Sequence, residues 1–333
     1  MFITKVFSPG ILNELLNKTV LFHNAILAQK DINEKIIELI LTTTKNDERQ
    51  KIRDNYKKVF HYPIQNDISK IKEKNPLLHD ISLNMFDTPL EYDARELHKA
   101  LINNIDIDTI IEIFCSRPKN SLELIDLAYK NFYEISLKEE IQKKLPKKFS
   151  EYILVIMDTE RPLEQTLVKN EPFKIAEEII KNGIKSYIND INMFKNTFVE
   201  KSRKDLILIS RTYFELSKKC LYDDIIEENN GQNSKDNDNK EENIILNLIK
   251  NMLFAVITPS QFFACRCKEA LNGCKKNINN LIRILITRRE IDIKMIRDYY
   301  FKGNKSDIKN DIKNEVDLKD NKNVSNILIN LFK

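Results

Sequence analysis

Residues Glu91 to Phe149, EYDARELHKALINNIDIDTIIEIFCSRPKNSLELIDLAYKNFYEISLKEEIQKKLPKKF, decide the fold class. Apolar residues recur in them at helical spacing, and prolines and small polar residues punctuate the pattern. The spacing predicts a first helix over 89–102 and a second over 108–117 with Asp108 as its N-cap. A third is expected from Asn120 or Ser121 to Tyr133, and a fourth opened by Ser136 in a capping box with Glu139. Pro146 ends the fourth, and residues 149–157 form a short apolar fifth.

The rest of the chain is compatible with more of the same. Of 333 residues, 42% are hydrophobic and 31% charged, enough apolar content for one or two buried cores. Five glycines and nine prolines are too few for a chain rich in hairpins or phosphate-cradling loops. A formal charge of +4 falls well short of a dedicated nucleic-acid binder, so no nucleic-acid partner is expected. No apolar run reaches membrane-spanning length, and the first residues, MFITKVFSPG, lack the pattern of a secretory signal. The five cysteines are read as reduced thiols, and a cytoplasmic location as the expectation.

The five-helix unit recurs. Second helices align at Ile36, Ile110, Met193 and Leu281, with steps of 74, 83 and 88 residues. Four units are expected, at 11–87, 88–158, 172–258 and 259–333. Between the second and third lies a polar bridge, 158–171. Within the third, the run NNGQNSKDNDNKEEN at 229–243 reads as a disordered insertion, because it has too little apolar surface to order itself.

At this point the sequence resembles the annexin family. DARELHKAL followed by DTIIEIFCSR, at 93–101 and 108–117, is similar to the family's second repeat. LIRILITRREIDIKMIRDYYFK, at 281–302, is similar to its fourth. The resemblance covers nearly the whole chain and is strongest in those two repeats. It implies an all-α protein of four five-helix repeats forming a curved disc, with the loops between first and second helices on a convex, membrane-facing side. It also implies structural ion pairs at the matching positions Asp93 with Arg117 and Glu112 with Arg283. The last two stand in otherwise apolar helices, where a charge is costly unless paired or hydrated.

The family holds calcium with carbonyls of a Gly-x-Gly-Thr loop after the first helix and a carboxylate from the fourth. Calcium takes about seven hard oxygens, and glycine lets carbonyls turn outward. In this chain the pattern is degraded. Repeat one has Ala28-Gln29-Lys30-Asp31, and repeat two has Asn103-Asn104-Ile105-Asp106 with Lys144 at the carboxylate position. Both are expected to be dead for this geometry. A very weak remnant is expected in repeat three at Gly183 and Glu228. The best remnant is in repeat four, with Leu271, Gly273 and Lys275 supplying carbonyls and Glu315 the acid. There Lys275 and Lys276 replace the second glycine and the threonine, and each lysine opposes a cation by on the order of 1 kcal/mol. Calcium as a cofactor is therefore expected to be weak or lost.

The loops that lack glycine carry Lys30, Lys185, Lys275 and Lys276. These are expected to contact anionic headgroups directly, each adding about 1 kcal/mol near an anionic leaflet. Cys265 and Cys267 diverge by roughly 200° around a helix and cannot share one ion, and with no nucleophile elbow, metalloprotease helix or phosphate loop present no enzyme is expected. Two function classes follow: peripheral binding to anionic phospholipid membranes, and an annexin-fold scaffold for a protein partner such as a cytoskeletal or coat component. Surface location by unconventional secretion is compatible with either.

Overall fold

The computed structural model describes residues 8–28, 31–102, 104–230, 237–272, 277–315 and 321–332, and every element described is helical. The first set of five comprises α1 (Pro9–Ile26), α2 (Glu34–Thr43), α3 (Asn46–Phe60), α4 (Gln65–Ile68) and α5 (Pro76–Phe86), with a 3-10 turn, Ser69–Ile71, prolonging α4. The second comprises α6 (Pro89–Ile102), α7 (Ile107–Ser116), α8 (Lys119–Tyr133), α9 (Leu137–Lys144) and α10 (Lys147–Asp158). In the third, α11 (Glu171–Asn182) precedes a broken second helix, made of α12 (Ser186–Asn189), α13 (Ile191–Phe194) and a π turn, Lys195–Val199. Then come α14 (Arg203–Ser217), α15 (Leu221–Asn230) and α16 (Asn237–Ile257). The fourth comprises α17 (Pro259–Asn272), α18 (Ile278–Arg288), α19 (Ile293–Asn304), α20 (Ile308–Asn314) and a last helix, Lys322–Leu331.

The local signals behave as their chemistry dictates, with four corrections. Asp106, not Asp108, caps α7: its carboxylate accepts from the backbone N–H of Thr109 at 3.1 Å. The third helix starts at Lys119 after Pro118, so neither Asn120 nor Ser121 caps it. Ser136 accepts from the N–H of Glu139 at 3.2 Å, which is one half of the expected capping box. The polar run at 229–243 is shorter than expected, because α15 reaches Asn230 and α16 begins at Asn237. Glu241, inside that run, accepts from the N–H of Phe149 at 2.9 Å. Residues 231–236 lie outside the described residues.

Two compact units result, Met1–Tyr92 with Phe263–Lys333, and Asp93–Phe262. In the first, the first and fourth repeats share a core. Arg289, just past α18, donates to the carbonyls of Leu41 and Thr44 at 3.2 Å each and also to that of Thr42. These are the unsatisfied carbonyls at the end of α2, where a guanidinium is also favoured by the helix dipole. Asn330 of the last helix donates to Glu38 of α2 at 3.0 Å. In the second unit, α7 packs on α16, and the Cys115 thiol reaches the Leu248 carbonyl at 3.7 Å. Arg161, in the polar bridge, donates to the Phe198 carbonyl at 2.8 Å and to that of Lys201. Asp205 fixes the same bridge by accepting from the N–H groups of Thr166 and Leu167.

The second helices α7 and α18 are buried on nearly all sides. Residues 109–115 of α7 and 281–287 of α18 are all buried. Glu112 and Arg283 are each only 1% exposed within these runs, so neither reaches for solvent. Both have interaction partners in the protein.

Candidate functional site

The loops between first and second helices are built by a shared device. A backbone N–H at the start of the second helix bonds back to an alanine carbonyl in the last turn of the first. Asn33 reaches Ala25 at 2.8 Å, Asp106 reaches Ala100 at 2.9 Å and Asn277 reaches Ala270 at 3.2 Å. The side chains of these same three residues cap the second helices, as does Asp190 before α13. Polar side chains at the loop ends are thereby spent on orphan amides. In repeat three the loop turns at Gly183, whose φ of 73° is open to glycine without strain. Its carbonyl accepts from the Ser186 hydroxyl at 2.7 Å.

Lysines reach the carboxylates beside these loops. In repeat one, Lys74 from the turn after α4 lies 2.6 Å from Asp31 of the loop. That hydrogen bond, with one from the Ile32 N–H, holds the Asp31 carboxyl below its usual range. In repeat three, Lys185 of the loop lies 3.0 Å from Glu228 of α15. Next to this pair, Lys219 lies 3.3 Å from Asp224 and 3.5 Å from Glu227. Gly183, Lys185, Lys219 and the three acids line one cleft of about 380 Å³. In repeat two, Lys144 lies 4.0 Å from Glu140 on its own helix. In repeat four, Glu315 is buried, 7% exposed, directly after α20, and has partners in the protein. Leu271 is fully buried at the end of α17. Gly273, Lys275, Lys276 and Lys30 lie outside the described residues.

Among the described residues no group of three or more His, Cys, Asp or Glu is disposed to hold a metal. The chemistry of the donors explains this at two loops. Calcium needs a shell of oxygens, whereas the acids of the first and third repeats already receive ammonium N–H groups. These residues do not fit the ion.

The buried ion pair of the second repeat is bidentate. Arg117 Nε lies 2.7 Å from Asp93 Oδ2 and Nη2 lies 3.1 Å from Oδ1, with Asp93 fully buried. Such fork-to-fork geometry is the arrangement in which a buried pair is best compensated.

A further set of residues escaped the sequence reading. Tyr56 and Asp67, Tyr213 and Asp224, and Tyr300 and Asp311 are hydrogen-bonded pairs, each eleven residues apart. Tyr129 and Glu140 stand at the same interval. In every case the tyrosine is on the third helix and the acid on the fourth. Between them the third helix ends on a left-handed residue, His61, Glu134, Lys218 or Lys305. Burial and then its bond to Asp224 push the Tyr213 phenol up, so it stays a donor. At Asp67 burial works against ionisation, but bonds from Lys70, Tyr56, Tyr62 and His23 outweigh it and hold the carboxyl low. The eleven-residue interval was readable in the sequence; a search at helical spacing alone passes over it.

Comparisons with known proteins agree with this architecture. A family model described as Annexin matches residues 92–156 and 262–317. Annexin A1 of Rattus norvegicus is 26% identical over 281 residues, spanning 84% of this chain and 77% of that protein. Among solved structures, annexin III superposes with a TM-score of 0.82 at 22% identity, covering 99% of this chain and 96% of that one. A calcium-bound annexin (Sm)1 superposes with a TM-score of 0.78 at 18% identity, covering 99% and 92%.

Proposed function

The chain belongs to the annexin family, and from that premise we propose that it binds anionic phospholipid membranes peripherally, through lysines of its loops, with calcium dependence weak or lost. The observation that supports this reading most is the state of the loops. Their acids are engaged by helix amides and by lysines, while lysine side chains stay open to solvent. Lys185 is 52% exposed even in its pair with Glu228. Lys30, Lys275 and Lys276 add positive charge to two short loop segments by sequence alone. Each lysine near an anionic leaflet contributes about 1 kcal/mol, and salt screens that attraction. No described helix is long and apolar enough to cross a membrane, consistent with surface attachment.

Co-sedimentation with phosphatidylserine vesicles tests it. Binding in chelator at low salt, released at high salt, is expected. Binding that appears only with calcium contradicts it. A second reading, a scaffold for a protein partner, draws on exposed apolar side chains of third helices, such as Leu127 on α8 and Phe214 on α14. Absence of vesicle binding in both calcium and chelator would favour it.

A further inference from the structure

We propose that lysine ammonium groups take the place of a divalent cation in the first and third repeats, tying each loop across its cleft without metal. This rests on the membrane reading for what the loops do, and concerns how they are set. Three observations carry it.

The first is register. Asp31 and Lys74 are 43 residues apart, and Lys185 and Glu228 stand at the same separation. Both pairs join the loop after the first helix to the region of the fourth. In repeat one the loop supplies the acid and the far side the lysine; in repeat three the roles are exchanged. The same bridge made with opposite polarity is hard to ascribe to a shared side chain; the shared property is a cation–carboxylate contact at that place.

The second is stoichiometry of charge. The repeat-three cleft holds Asp224, Glu227 and Glu228 against Lys185 and Lys219. Each of the three acids lies within 3.5 Å of an ammonium nitrogen. A divalent ion entering this cleft would meet two positive groups before it met an unengaged carboxylate, and at such distances like charges oppose strongly.

The third is donor chemistry. Asp224 also accepts from the Tyr213 hydroxyl at 2.5 Å, and the Gly183 carbonyl is taken by Ser186. Oxygens that a calcium shell would use are committed to N–H and O–H donors. This cleft thus opposes a cation with its own ammonium groups and with donors already on its oxygens. Removing those ammonium groups should permit binding.

Isothermal calorimetry with calcium chloride on the full chain, in the absence of membrane, reads this directly. In the unaltered chain, Glu228→Gln is expected to leave calcium binding unchanged. Lys185→Gly with Lys219→Gln is expected to gain a calcium site at least tenfold tighter than anything in the parent. Adding Glu228→Gln to that pair should remove it. Circular dichroism and thermal unfolding establish that the variants fold, and the replaced lysines are exposed. The inference is overturned if the unaltered chain has calcium binding that Glu228→Gln abolishes, or if the folded double variant gains none. Neither result bears on vesicle binding in chelator, which judges the membrane reading separately.

Discussion

Asp93 shows how much one residue carries. Its carboxylate is fully buried and compensated by the two-pronged contact from Arg117. Asp93→Asn leaves the guanidinium buried beside a neutral group, and truncating one partner of such a pair costs about 3 kcal/mol. Urea unfolding should show a lower midpoint at constant slope, the shift multiplied by the slope giving that loss. Lys305 makes the opposite case. It closes α19 with φ of 57°, a conformation that costs an L-residue about 1 kcal/mol or more. Lys305→Gly relieves this, at some cost in unfolded-chain freedom, and should raise stability by about 0.5–1 kcal/mol by the same measurement. Arg49 is a third residue whose setting matters. Burial, then the nearby Arg289, lowers its guanidinium to about 10, so it remains charged at neutral pH and donates to the Met85 carbonyl at 2.7 Å.

At the scale of elements, hydrogen-bonded tyrosine–acid pairs join the third and fourth helices of the first, third and fourth repeats, and in the first two repeats a histidine of the first helix reaches the tyrosine. His23 lies 2.9 Å from Tyr56 and from Asp67, and stacks on Phe60. His98 lies 3.0 Å from Tyr129 and stacks on Tyr133. Burial lowers the pKa of His98, and the charge of Glu140 only partly restores it. The unfolded chain therefore binds this proton more readily than the folded one. Stability is fully present above the unfolded value of 6.5 and is lost as pH falls through the lower folded value. His98→Gln keeps a polar partner for Tyr129 and should flatten the decline in melting temperature below pH 6.5, measured against the parent.

Much of this element-level structure was legible in the chain. Prolines at 89 and 259 open helices as their fixed φ favours. What sequence could not supply were contacts set by tertiary packing. Asp106 outcompetes Asp108 as a cap because α7 begins one residue before Asp108. The ion pair of Lys74 with Asp31 spans 43 residues, beyond any helical periodicity. Arg289 finds the carbonyls of α2 across 245 residues or more, so nothing local in either segment announces it. The Glu228 carboxylate lies 3.0 Å from the Lys185 ammonium, a contact 43 residues apart that no local pattern announces.

For the whole molecule, the fold is that of the annexins, and the carboxylates of its described loops are engaged by lysines and helix amides. The described loops are set by alanine carbonyls, helix caps and lysine pairs, none of which needs a metal. The proposed membrane attachment by such loops would rest on screened electrostatics, which fixes its signature. The most direct test is co-sedimentation with phosphatidylserine vesicles in the presence of a calcium chelator, at low and high salt. The expected result is binding at low salt that is lost at high salt and is not increased by calcium. Vesicle binding that requires calcium, with none in chelator at low salt, would contradict the account.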